Sequence, residues 1–193
     1  SNSLASVYGI ARQTAARNVL GDDVDIAVHA YDESNVVVPC TEIIRRIHRA
    51  ERTGGGGLVC LVGVQTNQFP RAVDLARQFR AEDVSVAVGG FHVSGCLSML
   101  PEVPLDIAEA QAMGVSLFAG EAEGRLDAVL HDALHGTLQP VYNFLSDLPG
   151  LQGATTPYLP TAHIQRYAGT TGCFDAGRGC PFTCSFCTII NVQ

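Results

Sequence analysis

The chain has 193 residues, of which 47% are hydrophobic and 16% charged, so it can bury a substantial core. Its formal net charge of −7 argues against a nucleic-acid backbone or an anionic membrane as the main partner, because both would repel it. No apolar run approaches the roughly eighteen residues of a membrane span, and the N-terminus lacks a signal-peptide pattern. These features predict a cytoplasmic globular protein with no nucleic-acid or membrane partner.

The first third of the chain alternates between helical and strand-like periods. Apolar spacing predicts a helix over residues 4–21 that ends at Gly21, and residues 25–31 predict a strand. Residues 40–50 place four apolar side chains on one helical face, with Thr41 as the expected N-cap.

The same alternation continues to residue 144. Residues 57–64 form a continuously apolar run, which predicts a strand buried on both faces with Cys60 in the core. A helix is predicted to begin near Pro70, because proline suits the first helical turn. The remaining predicted elements are strand 84–90, helix 106–114, strand 115–120, helix 124–136 and a short strand 140–144.

Strands that alternate with helices predict an α/β fold with a doubly wound, mainly parallel sheet of the flavodoxin-like or Rossmann-like kind. The chain opens on a helix, so we expect the first strand of such a sheet to be missing. Ligands bind these sheets beyond the carboxyl ends of the strands. The polar or glycine-rich segments at those ends are 32–35, 65–69, 89–94 and 120–124.

The alternation of helical and strand-like segments ends after residue 144. Residues 145–172 carry several prolines and little periodicity, which predicts a linker packed along the surface. The predicted organisation is therefore a domain over 3–144, a linker over 145–172 and the start of a second domain over 173–193.

Seven cysteines are present, and an odd, uneven set does not predict a secreted disulfide framework. Cys40 and Cys96 are interpreted as structural. Cys180, Cys184 and Cys187 lie within eight residues of one another. Thiolates at this spacing favour zinc, copper(I) or an iron–sulfur cluster, and Cys173 could supply a fourth zinc ligand. The spacing alone does not separate these metals.

The segment Arg178-Gly179-Cys180-Pro-Phe-Thr-Cys184-Ser-Phe186-Cys187 resembles the signature of radical SAM enzymes. That resemblance implies a 4Fe–4S cluster held by the three cysteines, with S-adenosylmethionine on the fourth iron. It also implies that Phe186 stacks near the adenine, that a 5′-deoxyadenosyl radical forms, and that a flavodoxin or ferredoxin donates the electron. The substrate would be a small molecule.

Three short motifs follow predicted strands in a fixed order: Gln65-Thr66-Asn67, Gly89-Gly90 and Gly120-Glu121-Ala122-Glu123. With these motifs, residues 22–190 resemble the cobalamin-binding domain and following segment of a large radical SAM subclass. The resemblance implies methyl transfer or skeletal rearrangement as the reaction. It also implies a corrin at the strand ends, contacted by Gln65, Thr66, Asn67, Gly89, Gly90, Phe91, His92, Gly120 and Glu121.

The chain departs from that family in two respects. The D-x-H-x-x-G pattern that supplies a lower cobalt ligand is absent, so we expect no histidine of this chain on that face of the corrin. The catalytic barrel is also absent, so we expect residues 1–193 alone to show no turnover.

A non-catalytic cobalamin carrier or sensor with a cysteine-bound structural zinc remains the alternative. A receiver-like signalling domain is rejected, since it would need an aspartate where Val64 and Gln65 stand.

Overall fold

The computed structural model describes residues 2–150, 152–164, 179–180, 182 and 184–189. The helices in these residues are α1 (Asn2–Ala16), α2 (Cys40–Glu51), α3 (Phe69–Arg80), α4 (Phe91–Met99), α5 (Leu105–Ala112), α6 (Leu126–Leu134) and α7 (Thr161–Ile164). The strands are β1 (Leu58–Leu61), β2 (Ser85–Gly89), β3 (Ser116–Ala119) and β4 (Val141–Asn143). None of the helices described here has both the length and the apolar character needed to cross a membrane.

The four strands form one parallel sheet in the order β1-β2-β3-β4. Each strand reaches the next through at least one helix, as parallel neighbours require. This architecture confirms the predicted α/β, doubly wound class of fold.

The core lies between the sheet and helices α3 and α5. Phe69 and Phe79 of α3, Ile107 of α5 and Leu117 of β3 are almost fully buried. The two phenylalanines are ten residues apart with apolar side chains between them at helical spacing, so one face of α3 is buried. Burying each such side chain contributes roughly 1.5–3 kcal/mol, which makes this layer the main source of stability.

Two helix boundaries were predicted wrongly. Helix α1 ends at Ala16 and not at Gly21, because Asn18 takes a left-handed conformation (φ 49°) and begins a turn. Gly21 closes that turn by donating its N–H to the Asn18 carbonyl oxygen at 2.9 Å. Thr41 is not the N-cap of α2, since the helix begins at Cys40 and Pro39 occupies the cap position.

The first half of the sheet also differs from the prediction. Residues 25–31 form no strand in the structure. Strand β1 is therefore paired on one side, with β2, within the described residues, and it is not buried on both faces. Cys60 is exposed, so its interpretation as a core residue was wrong.

Helix α4 was not predicted. Glycines at its N-cap and at its centre, Gly90 and Gly95, are typical of a loop and conceal the helix in the sequence. The other elements from α3 to β4 were predicted correctly, with ends that differ by a few residues.

Candidate functional site

The carboxyl ends of β1, β2 and β3 lie side by side at one edge of the sheet, and the loops that follow them are joined by hydrogen bonds. The Val64 N–H donates to the Gly89 carbonyl at 3.1 Å, and the His92 N–H donates to the Val64 carbonyl at 3.1 Å. The Gly120 N–H donates to Ser94 Oγ at 3.1 Å. The structure therefore brings together three of the four segments that the sequence predicted at a ligand-binding rim. The fourth, 32–35, was predicted wrongly, because the residues before it form no strand.

The residues of this rim differ in accessibility. Gln65, Thr66 and Asn67 are exposed, and Phe91 is 39% exposed. Gly89, Gly90, Gly120 and Glu121 are half-buried. The accessible part of the predicted rim is therefore the loop after β1 together with the first residue of α4.

The rim glycines have a structural explanation within the chain itself. Gly90 has a φ of 142°, and a Cβ there would lie 2.6 Å from the Val64 carbonyl oxygen and closer still to the Val64 nitrogen. Gly120 has a φ of 99°, and a Cβ there would lie 2.9 Å from the Phe144 carbonyl carbon. Both glycines are needed for neighbouring backbone segments to pass each other, so they do not by themselves indicate a ligand.

Gln68 is a rim residue that the sequence did not single out. Its Oε1 accepts the Gln65 N–H at 3.0 Å, and its own N–H donates to the Gln65 carbonyl at 2.9 Å. These two bonds close the loop after β1 into a compact turn. In the sequence, Gln68 is one of several polar residues that precede a helix. Nothing in the sequence therefore distinguishes it from its neighbours.

His92 was predicted to lie on a loop, but it is the second residue of α4 and is buried. Its Nε2 lies 3.0 Å from Asp106 Oδ2, and its Nδ1 lies 3.3 Å from Thr66 Oγ1. The ring also packs against Phe69, with 4.3 Å between ring centroids. Both ring nitrogens are thus engaged, and His92 ties the rim loop to α5. Asp106 could not be predicted as its partner, because only the fold brings the two residues together.

Replacing His92 with leucine is expected to lower the free energy of unfolding by about 1–3 kcal/mol, because the buried ring loses two partly buried hydrogen bonds. Chemical denaturation followed by circular dichroism measures this change. The matched control is Asp106→Asn, which keeps an oxygen acceptor opposite His92 and should cost less. A His92→Leu protein as stable as the wild type would contradict the role of His92 as a tie between the rim and α5.

Helix α1 crosses the carboxyl edge of the sheet. Near its start, Ser3 packs against Gly63, which follows β1; a Cβ on Gly63 would lie 2.6 Å from Ser3 Oγ. Beyond its other end, the Arg17 guanidinium pairs with Asp127 of α6 at 2.6 Å. Because β1 and β3 end at the same edge, a helix that contacts the segments after both must span that edge. Helix α1 therefore covers part of the predicted ligand-binding surface.

Residues 152–158 lie along α1. The Tyr158 N–H donates to the Ala5 carbonyl at 3.0 Å, and the rings of Tyr8 and Tyr158 stack at 6.0 Å. A cavity of about 250 Å³ remains between α1, the turn at 123–124 and residues 149–150 and 152–155. Thr14 and Arg17 contribute polar groups to its wall, and both interact with Asp127.

Cys184 and Cys187 lie on one short turn, and Cys180 precedes that turn in the chain. Cys180 and Cys184 are exposed, Cys187 is half-buried, and the Cys187 N–H donates to the Cys184 carbonyl at 3.1 Å. Among the described residues, no three potential metal-binding side chains are close enough together to hold one metal ion. The thiols of these three cysteines therefore do not converge either. Phe186 is 83% exposed. Cys173, the fourth ligand in the zinc interpretation, lies outside the described residues.

The turn that carries Cys184 and Cys187 lies against α4. Thr188 contacts Gly95, so that a Cβ on Gly95 would lie 2.8 Å from Thr188 Cγ2. Because α4 begins at the rim, the cysteine turn and the rim share one helix as their support.

Cys40 and Cys96 are half-buried. Burial raises the pKa of the Cys40 thiol, and burial followed by the negative charge of Asp106 raises the pKa of the Cys96 thiol. Both groups therefore remain protonated at neutral pH, as expected of structural cysteines.

The fold defines an α/β protein of the doubly wound, flavodoxin-like class, with a cysteine motif whose Thr188 contacts the helix that begins at the predicted rim. The chain is 31% identical over 139 residues to the bacteriochlorophyllide d C-8(2)-methyltransferase of Chlorobaculum tepidum, across 68% of this chain and 28% of that protein. The chain thus spans less than a third of the curated relative that it matches. No protein-family model matches the chain, and no solved structure gives a significant match.

Proposed function

We propose that these residues belong to a cobalamin-dependent radical SAM methyltransferase, in which the rim binds the corrin and Cys180, Cys184 and Cys187 hold a 4Fe–4S cluster. The cysteine signature carries this proposal. The identity to a methyltransferase supports methyl transfer over skeletal rearrangement as the reaction. The substrate is a small molecule, and a flavodoxin or ferredoxin supplies the electron.

The chemistry of the three cysteines fits an iron–sulfur cluster. Three cysteines lie within eight residues, and soft thiolates are the ligands such clusters require. Their side chains do not converge in this structure, so cluster binding must close the turn around the metal. When bound, the cluster supplies the electron that cleaves S-adenosylmethionine, while the turn holds the thiolates together beside α4.

The chemistry of the rim fits a corrin. Cobalamin is a broad ring with amide groups around its edge, and Gln65 and Asn67 expose side-chain amides that can bond to them. Phe91 offers apolar surface beside these amides. Since both ring nitrogens of His92 already have partners, we expect the cobalt to take no ligand from it.

The test is a titration of hydroxocobalamin into the longest natural chain that contains these residues. Asn67→Trp puts a bulky side chain on the exposed rim loop and should weaken binding by about tenfold or more, because it obstructs the ring. The corrin absorption spectrum gives the affinity. The matched control is Glu82→Trp, on an exposed turn before β2 at the opposite edge of the sheet, which should bind like the wild type.

Equal affinity in all three proteins would place the corrin elsewhere. No binding by the wild type would refute the cobalamin assignment. The metal content of the purified protein separates the alternative, since a carrier or sensor with a structural zinc would contain zinc and no iron.

A further inference from the structure

Helix α4 contains a glycine where a better helix former would be expected. Gly95 is the fifth of nine residues, is buried, and has no left-handed backbone angle that would require glycine. Glycine weakens a helix interior relative to alanine, so a glycine at this position implies a steric demand.

That demand comes from Thr188. The three heavy atoms nearest to a Cβ built on Gly95 all belong to the Thr188 side chain: Cγ2 at 2.8 Å, Oγ1 at 3.2 Å and Cβ at 3.6 Å. An alanine at position 95 would therefore meet Thr188 before any other residue. Thr188 directly follows Cys187, whose N–H is bonded to the Cys184 carbonyl.

We infer that Gly95 is the docking position for the cysteine turn, and that α4 sets the separation between the two cofactor sites of the proposed function. Helix α4 begins at Phe91 on the rim, and Gly95 lies four residues along it, roughly 6 Å further on the helix axis. Gly95 is thus a positioning residue, which holds the cysteine turn next to the corrin edge. The inference rests on the proposed function for its meaning, but the contact exists without any cofactor.

Hydrogen exchange measured by mass spectrometry on residues 1–193, with no cofactor added, tests the docking directly. Gly95→Ala pushes Thr188 away, so peptides that contain residues 184–189 should exchange about fivefold faster than in the wild type. Peptides from α3 should be unchanged in every variant, which shows that the fold is intact.

The second variant makes the test specific. In Gly95→Ala/Thr188→Ala the new Cβ would face the Cβ of residue 188 at an ordinary contact distance, so exchange in 184–189 should return toward the wild-type rate. Gly150→Ala is the control, since a Cβ at Gly150 meets no atom within 4 Å. The inference is overturned if Gly95→Ala exchanges like the wild type, or if the double variant is as fast as Gly95→Ala.

The outcome is separate from that of the proposed function, because exchange needs neither corrin nor iron. If docking is confirmed and no cobalamin binds, the proposed function fails while the contact between α4 and the cysteine turn stands.

Discussion

Gly90→Ala is expected to lower the free energy of unfolding by at least about 3 kcal/mol, from backbone strain combined with steric overlap. Gly90 has a φ of 142°, which side-chain-bearing residues rarely adopt. A Cβ at this position would also overlap the backbone of Val64, which is hydrogen-bonded on both sides, to Gly89 and His92. The Val64 backbone cannot move away from the added Cβ without breaking these hydrogen bonds. Larger substitutions at Gly90 should prevent folding.

Urea denaturation of residues 1–193 followed by circular dichroism measures the effect. Gly136→Ala separates its two causes, because Gly136 also has a positive φ (67°) but a Cβ there meets nothing within 4 Å. That control should cost about 1–2 kcal/mol, the strain alone. If Gly90→Ala were no more destabilising than Gly136→Ala, the close passage of Gly90 past Val64 would be wrong. Since Gly90 is structural, variants there are unsuitable for probing corrin binding.

Cys184→Ala is expected to abolish both cluster assembly and cleavage of S-adenosylmethionine in the longest natural chain that contains these residues. Two thiolates remain in the motif, and a cubane cluster cannot be held by two cysteines while one further iron stays open to the cofactor. Anaerobic reconstitution with iron and sulfide, iron analysis, the visible absorption band and 5′-deoxyadenosine production measure the loss.

Cys60→Ala is the matched control, because Cys60 is another cysteine without a disulfide and lies outside the motif. It should retain full iron content and cleavage activity. A Cys184→Ala protein with wild-type iron content would show that Cys184 is not a ligand. Loss of the cluster in Cys60→Ala as well would show that the cysteine motif is not the specific site.

The predictions that succeeded depended on signals contained within short segments. The apolar period of α3, with Pro70 in its first turn, and the apolar runs of β2 and β3 specify their elements locally. Strand 25–31 failed for the opposite reason: its sequence favours an extended conformation, but a strand also needs a neighbour that pairs with it. The prediction that Cys60 lies in the core was wrong for the same reason, because the exposure of β1 depends on what lies beside that strand.

The sequence by itself determined the α/β class, three of the four segments predicted at the carboxyl edge, and the cysteine motif, because each follows from local periodicity or spacing. Only the tertiary structure decided the roles of particular residues at that edge. Gly90 accommodates the Val64 backbone, His92 ties Thr66 to Asp106, and α1 crosses the rim. Gly95 receives Thr188 from 93 positions away in the chain. The physical reason is that these contacts join residues far apart in sequence. The local sequence around one partner does not indicate which residue the other partner is.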